Sequence, residues 1–104
     1  MKTMFEAARE NEAGYRDASV EDFACHRCEA RIIDVREDSE YNGDLGHIPG
    51  AELVPLGALD AEASTWDLET ELLIVCRSGA RSARAASALA RRGFTKVMNL
   101  GGGM

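Results

Sequence analysis

The segment Leu72-Leu73-Ile74-Val75-Cys76-Arg77-Ser78-Gly79-Ala80-Arg81-Ser82 places a thiol directly after an unbroken apolar run. Two guanidinium groups and a glycine follow within five residues. A short, continuous apolar run reads as a strand covered on both faces. The alanine-rich stretch 81–92, ended by Gly93, reads as a helix. Between them lies a short loop whose backbone N–H groups have no helical partners and can converge on one point. The helix start adds about half a positive charge there. Arg77 and Arg81 add full charges. Each effect favours the thiolate, so Cys76 is expected to be an activated nucleophile. The same donors, from Arg77, Ser78, Gly79, Ala80, Arg81 and Ser82, would cradle an anionic substrate. A cysteine with none of these neighbours would read as an inert buried thiol.

Other residues with chemical potential are weaker candidates. Cys25-His26-Arg27-Cys28 has the spacing of half a zinc site or of a redox pair. A zinc site needs two more ligands, and the only other histidine is His47. The pair falls near the end of an expected helix rather than at the start of one, which favours two unremarkable thiols. A regulatory disulfide, or a relay taking sulfur from Cys76, is the alternative. Asp34 and Arg36 are expected at a strand end beside Cys76. Asp34 is a possible general base, but hydrogen bonding to loop backbone, as structural support of the site, is the favoured role for both. His47 lies in the loop Gly46-His47-Ile48-Pro49-Gly50 and is expected to find backbone partners. Trp66 is expected to pack, because a single tryptophan makes no stacking platform.

The elements that must hold these residues follow from periodicity and punctuation. Residues 2–12 have helical composition, with Gly14 as the stop. Ser19 opens a second helix running to about Glu29, with Asp22 three residues on in a weak capping box. Residues 32–35 form a strand. Residues 37–41 form one or two helical turns, and 43–50, with three glycines and a proline, a loop. Residues 51–54 form a strand ended by Pro55, 56–63 a short helix, and 72–75 the central strand. Residues 81–92 form the longest helix, and 96–100 the last strand before the Gly101-Gly102-Gly103 turn. Alternating strands and helices predict one α/β domain. Its central, mostly parallel sheet has about five short strands with helices on both faces and right-handed crossovers. Ligands in such sheets bind beyond the carboxyl ends of the strands, here at 34–36, 54–55 and 76.

Length and composition agree with this. The chain has 104 residues, 45% hydrophobic and 29% charged. That suffices for one domain with a modest core. No apolar stretch approaches the ~20 residues of a membrane span. The first residues reach an acid at Glu6 without an apolar run, unlike a signal peptide. Three cysteines without such a signal favour a reducing, cytoplasmic setting. The net charge is -6, but all 18 acids lie before residue 72, and the six cations after it stand alone. An acidic chain with few aromatics is not built for nucleic acid. The cationic last third suits a small anion instead.

Taken together, the motifs resemble the rhodanese-like sulfurtransferases. Cys76-Arg77-Ser78-Gly79-Ala80-Arg81 with Ser82 is similar to their active-site loop. Ile33-Asp34-Val35-Arg36-Glu37, Glu40-Tyr41 and Gly46-His47-Ile48-Pro49-Gly50-Ala51 are similar to their first signature. Gly93-Phe94 and Val97-Met98-Asn99-Leu100-Gly101-Gly102-Gly103-Met104 are similar to their last strand and turn. The resemblance spans residues 15–104, with residues 1–14 as a helical extension. It implies a rhodanese-like fold and a Cys76 persulfide formed from a donor such as thiosulfate. The persulfide then passes its sulfur to a small thiol, a protein thiol or cyanide, with no metal or organic cofactor. Related phosphatases place an arginine after five intervening residues, where this chain has Ser82; Arg81 comes after four. The family usually continues past the Gly-Gly-Met turn with another helix, whereas this sequence stops at Met104, so either the natural chain is longer or this member lacks that cover; Cys25-His26-Arg27-Cys28 is not part of the family's signature. A non-enzymatic binding module, a phosphatase-type enzyme and a dithiol redox protein through Cys25 and Cys28 are the alternatives.

Overall fold

The computed structural model describes residues 3–25, 29–44 and 46–101, with residues 24 and 25 as backbone alone. Most of the Cys25–Cys28 motif, and residues 102–104 of the glycine turn, lie outside the described residues.

Thr3 starts the first helix, α1 (Met4–Ala7), through a capping box with Glu6. The helix is shorter than the expected 2–12. Residues beyond Ala8 leave it because β1 (Arg9–Glu10) pairs antiparallel with β2 (Arg16–Ala18). Gly14, with φ of 94°, belongs to the turn between them rather than to a helix end. Ser19 and Asp22 exchange two hydrogen bonds at the start of α2 (Val20–Cys25). Then follow β3 (Arg31–Asp34), α3 (Asp38–Tyr41) and β4 (Glu52–Leu53). A 3-10 turn (Leu56–Ala58) leads into α4 (Leu59–Ala63), then β5 (Leu72–Val75), α5 (Ala80–Arg91) and β6 (Val97–Leu100).

The strands form one sheet in the order β1-β2-β6-β5-β3-β4. All pairings except β1–β2 are parallel. Six strands stand where about five were expected; the additional pairing is the short polar hairpin at the β1–β2 edge. β5 is buried at every position, and its side chains divide between two cores. Leu72 and Ile74 join Leu59 and Ala63 of α4 and Ala85, Ala86 and Leu89 of α5 on one face. Leu73 and Val75 join Met4 of α1 on the other, with Phe23 of α2 packed against that cluster. The expected helices on both faces are therefore present. Each large side chain buried this way contributes roughly 1.5–3 kcal/mol. Trp66 packs edge-on to Phe94 with the Arg31 guanidinium over its ring, as a packing residue should. No helix among the described residues is long and apolar enough to cross a membrane.

Candidate active site

Register brings the site together. Asp34 of β3 lies opposite Val75 of β5, so the carboxyl ends of both strands open at the same edge. Cys76 leaves β5 there with its side chain fully buried. Gly79 then takes a φ of 93° and caps α5 without a side chain of its own. Left-handed backbone of this kind suits glycine because it has no Cβ. It turns amides back toward the sulfur. Gly79 N–H donates to Cys76 Sγ at 3.0 Å and Ser82 N–H at 3.3 Å. The Ser82 hydroxyl stands 3.3 Å from the same sulfur.

Burial pushes the Cys76 thiol up. Hydrogen bonds from the Ser82 hydroxyl and the amides of Ser82, Gly79 and Ser78 outweigh it and hold the thiol below its ordinary value. The lowering is thus carried by short-range hydrogen bonds from the loop and the first turn of α5. Around the sulfur, Gly79 and Ser82 are buried, whereas Arg77, Ser78 and Ala80 are exposed. Arg77 lines a cleft of about 210 Å³ together with Arg36, Ser39, Glu40, Gly43 and Asp44. Arg81 does not stand free. Both its terminal nitrogens donate to the Glu40 carboxylate of α3, at 2.7 and 2.8 Å.

Asp34 and Arg36 sit beside the cradle and are themselves fully buried. The Arg36 guanidinium meets the Asp34 carboxylate through Nε and Nη2, at 2.9 and 2.7 Å. Arg36 N–H also donates to Asp34 Oδ1, and Nη2 reaches the Gly46 carbonyl at 2.9 Å. The pair therefore ties the end of β3 to the loop before β4. His47 in that loop stacks on Tyr41 at 3.6 Å, with Nδ1 2.9 Å from the Tyr41 carbonyl, as a backbone-bonded loop residue should. Among the described residues no group of three or more His, Cys, Asp or Glu could hold a metal ion.

Two residues at the site were not singled out from the sequence. In the sequence Glu40 stands only within a motif. Asn99 reads as part of a strand, yet it is buried and accepts a hydrogen bond from the Ser82 hydroxyl. The signal was present: in a strand buried at every position, Asn99 is the one polar side chain, and a buried amide needs partners. Its Nδ2 donates to Asp17 Oδ1 of β2 at 3.2 Å. Asp17 Oδ2 accepts from Asn11 Nδ2 at 2.9 Å.

The family model described as the Rhodanese-like domain matches residues 18–104. The chain belongs to the rhodanese-like domain family. A rhodanese-like domain protein from Staphylococcus aureus, known from a crystal structure, superposes with a TM-score of 0.73 at 27% identity, covering 85% of this chain and 86% of that one. "Putative sulfur carrier protein YrkF" of Bacillus subtilis is 42% identical over 73 residues, 70% of this chain. The match spans 38% of that protein's length. Thiosulfate sulfurtransferase GlpE of Pseudomonas paraeruginosa is 32% identical over 74 residues, covering 71% of this chain and 66% of that protein. The rhodanese-like match begins at β2 and takes in every strand that borders the cradle.

Proposed function

We propose that the protein is a sulfurtransferase that carries sulfur as a persulfide on Cys76. The observation that carries the reading is the buried sulfur held by the Gly79 and Ser82 amides at the start of α5. Two relatives whose names speak of sulfur carriage and thiosulfate sulfurtransfer support it. In the first step the Cys76 thiolate attacks the outer sulfur of a donor such as thiosulfate. A sulfur–sulfur bond forms, the donor's own sulfur–sulfur bond breaks, and sulfite leaves with the electron pair. In the second step an acceptor thiolate or cyanide attacks the terminal sulfur. Cys76 is released as thiolate, and the products are a persulfide or thiocyanate. Each step is a nucleophilic displacement, so atoms and electrons balance without an added oxidant. The loop from Arg77 to Ser82 would hold the terminal sulfur in the amide cradle, where a partial negative charge is stabilised by preorganised donors. Asp34 and Arg36 would keep that edge of the sheet rigid.

The test is direct. The chain is incubated with thiosulfate, its intact mass is measured, and the added sulfur is located by peptide mapping. One added sulfur on Cys76 is expected, with none in Cys76→Ser. A chain that gains no sulfur, or gains it elsewhere, overturns the reading. So does release of phosphate from an aryl phosphate that depends on Cys76.

A further inference from the structure

We propose that Asn99, fixed by Asp17, is a positioning residue that decides where the Ser82 hydroxyl sends its single proton, and so how firmly the Cys76 sulfur is held as a thiolate. The argument begins with a proton count. Ser82 Oγ carries one hydrogen and has three neighbours able to take it. They are Cys76 Sγ at 3.3 Å, the Gly79 carbonyl at 3.1 Å and Asn99 Oδ1. An asparagine amide has nearly the same shape either way round, so its orientation must come from its partners. An ionised Asp17 can only accept. Asn99 Nδ2 therefore faces Asp17, and Oδ1 faces Ser82. Asp17 is held in turn by Asn11 at the turn between β1 and β2. Asn99 is thereby locked as an acceptor and competes with the sulfur for the Ser82 proton.

The competition has different outcomes in the two states of the thiol. With Cys76 protonated, S–H donates to Ser82 Oγ and Ser82 donates to Asn99, so every group is satisfied. With Cys76 ionised, the Ser82 proton that lowers the thiol when it turns to the sulfur is the same one Asn99 takes, so its support of the thiolate is only partial: Ser82 either keeps its bond to Asn99 and turns a lone pair toward a negative sulfur, or turns its proton to the sulfur and orphans a buried oxygen. Ser82 is fully buried and Asn99 is 5% exposed, so an orphaned group there is costly. The lock restrains the thiolate from settling too deeply, which preserves its nucleophilicity, since attack weakens as a thiol becomes more acidic. The other charged groups around the cradle are Arg81 in α5 with its partner Glu40 in α3, the Asp34–Arg36 pair at the end of β3, and Arg77 in the loop; Asp17 itself also faces Tyr15. The significance of the lock rests on Cys76 being the sulfur carrier, but its test uses no sulfur transfer.

The test compares the intact chain with Asp17→Asn, which keeps the shape and releases the lock, and Asn99→Leu, which removes the acceptor. Iodoacetamide alkylation of Cys76 is followed against pH and read by peptide mass, so that Cys25 and Cys28 do not contribute. In both variants the Cys76 pKa should fall by about half to one unit, the size of one added hydrogen bond to the thiolate. The thiolate fraction then rises while its intrinsic reactivity falls. With a Brønsted slope of ~0.4–0.5, alkylation should be up to about fourfold faster at low pH and up to about threefold slower at the high-pH plateau. Loosened packing would speed both arms. In a Ser82→Ala background the shift should disappear. An unmoved pKa in a folded Asp17→Asn, a rise in both arms, or a shift that survives Ser82→Ala overturns the proposal. Should Asn99→Leu fail to fold, Asp17→Asn on the half-buried β2 carries the test. Crossing arms in a chain that takes no sulfur from thiosulfate would sink the proposed function and leave this inference standing.

Discussion

Glu40 and Arg81 show how one contact changes the meaning of a residue. Arg81 was expected to face an anionic donor, and its guanidinium is already shared with a carboxylate by two short hydrogen bonds. A donor must therefore compete with Glu40 for it. Glu40→Gln should raise kcat/KM for thiosulfate about two- to fivefold, the worth of an ion pair that is about one-third exposed. A neutral sulfur donor should gain nothing, and equal gains for both donors would count against the competition. The same pair sets a pH window. Hydrogen bonds from Arg81 and from the Glu37 amide lower the Glu40 carboxyl from its ordinary 4.5 to about 2. A depressed folded value stabilises the fold above the unfolded value, and that stabilisation is lost as pH falls through the folded one. Urea midpoints of the native chain and Glu40→Gln should differ at pH 7, converge between about 4.5 and about 2, and coincide below. At this scale Cys76 and its loop were legible because their chemistry is local in sequence. The contacts Glu40–Arg81 and Ser82–Asn99 were not, because 41 and 17 residues separate the partners and only the topology joins them.

Two junctions between elements hold the site. Gly79 caps α5 in left-handed backbone and delivers an amide to the sulfur. Gly79→Ala should cost about 1–2 kcal/mol in a thermal melt, because an alanine Cβ crowds the following carbonyl in that conformation. It should also raise the Cys76 pKa, as alkylation against pH would report, since the displaced amide no longer supports the thiolate. Asp34 ends β3 and pairs with Arg36 while both are buried. Asp34→Asn leaves a buried guanidinium without its counter-charge and should cost about 3–5 kcal/mol in urea. A loss below 1 kcal/mol would mean that solvent reaches Arg36 after all. The elements that were readable have either a strong period or strong punctuation. β5 is one apolar run, and α5 is alanine-rich between two glycines. The β1–β2 hairpin was not readable. Arg9-Glu10 and Arg16-Asp17-Ala18 carry no apolar alternation, and their strand character comes from pairing, β2 with β6 and β1 with β2. For the same reason residues 2–12 looked helical: composition favours a helix there, and pairing ends it at Ala7.

Across the whole molecule, charge and topology divide along the same lines. The acids fill the first two-thirds of the sequence, while the charged residues of 72–104 are all cations. Yet the fold sets Glu40 against Arg81 and Asp60 against Arg92. The cationic third is thereby partly neutralised by the acidic remainder. The sheet interleaves the chain in the same way, with β6 between β2 and β5. A chain cut after Thr95 would leave β2 joined only to β1 and β5 open along one edge. Such edges invite association, so this truncation should elute as aggregate in size-exclusion chromatography, where the full chain elutes as a folded species. The interleaving also orders events during synthesis. Arg16 pairs with Met98, and at about 5–20 residues per second a ribosome needs several seconds to make the stretch between them. Cys76 is made before Asn99, so each newborn chain passes through an interval in which its sulfur is present and its acceptor lock is still missing.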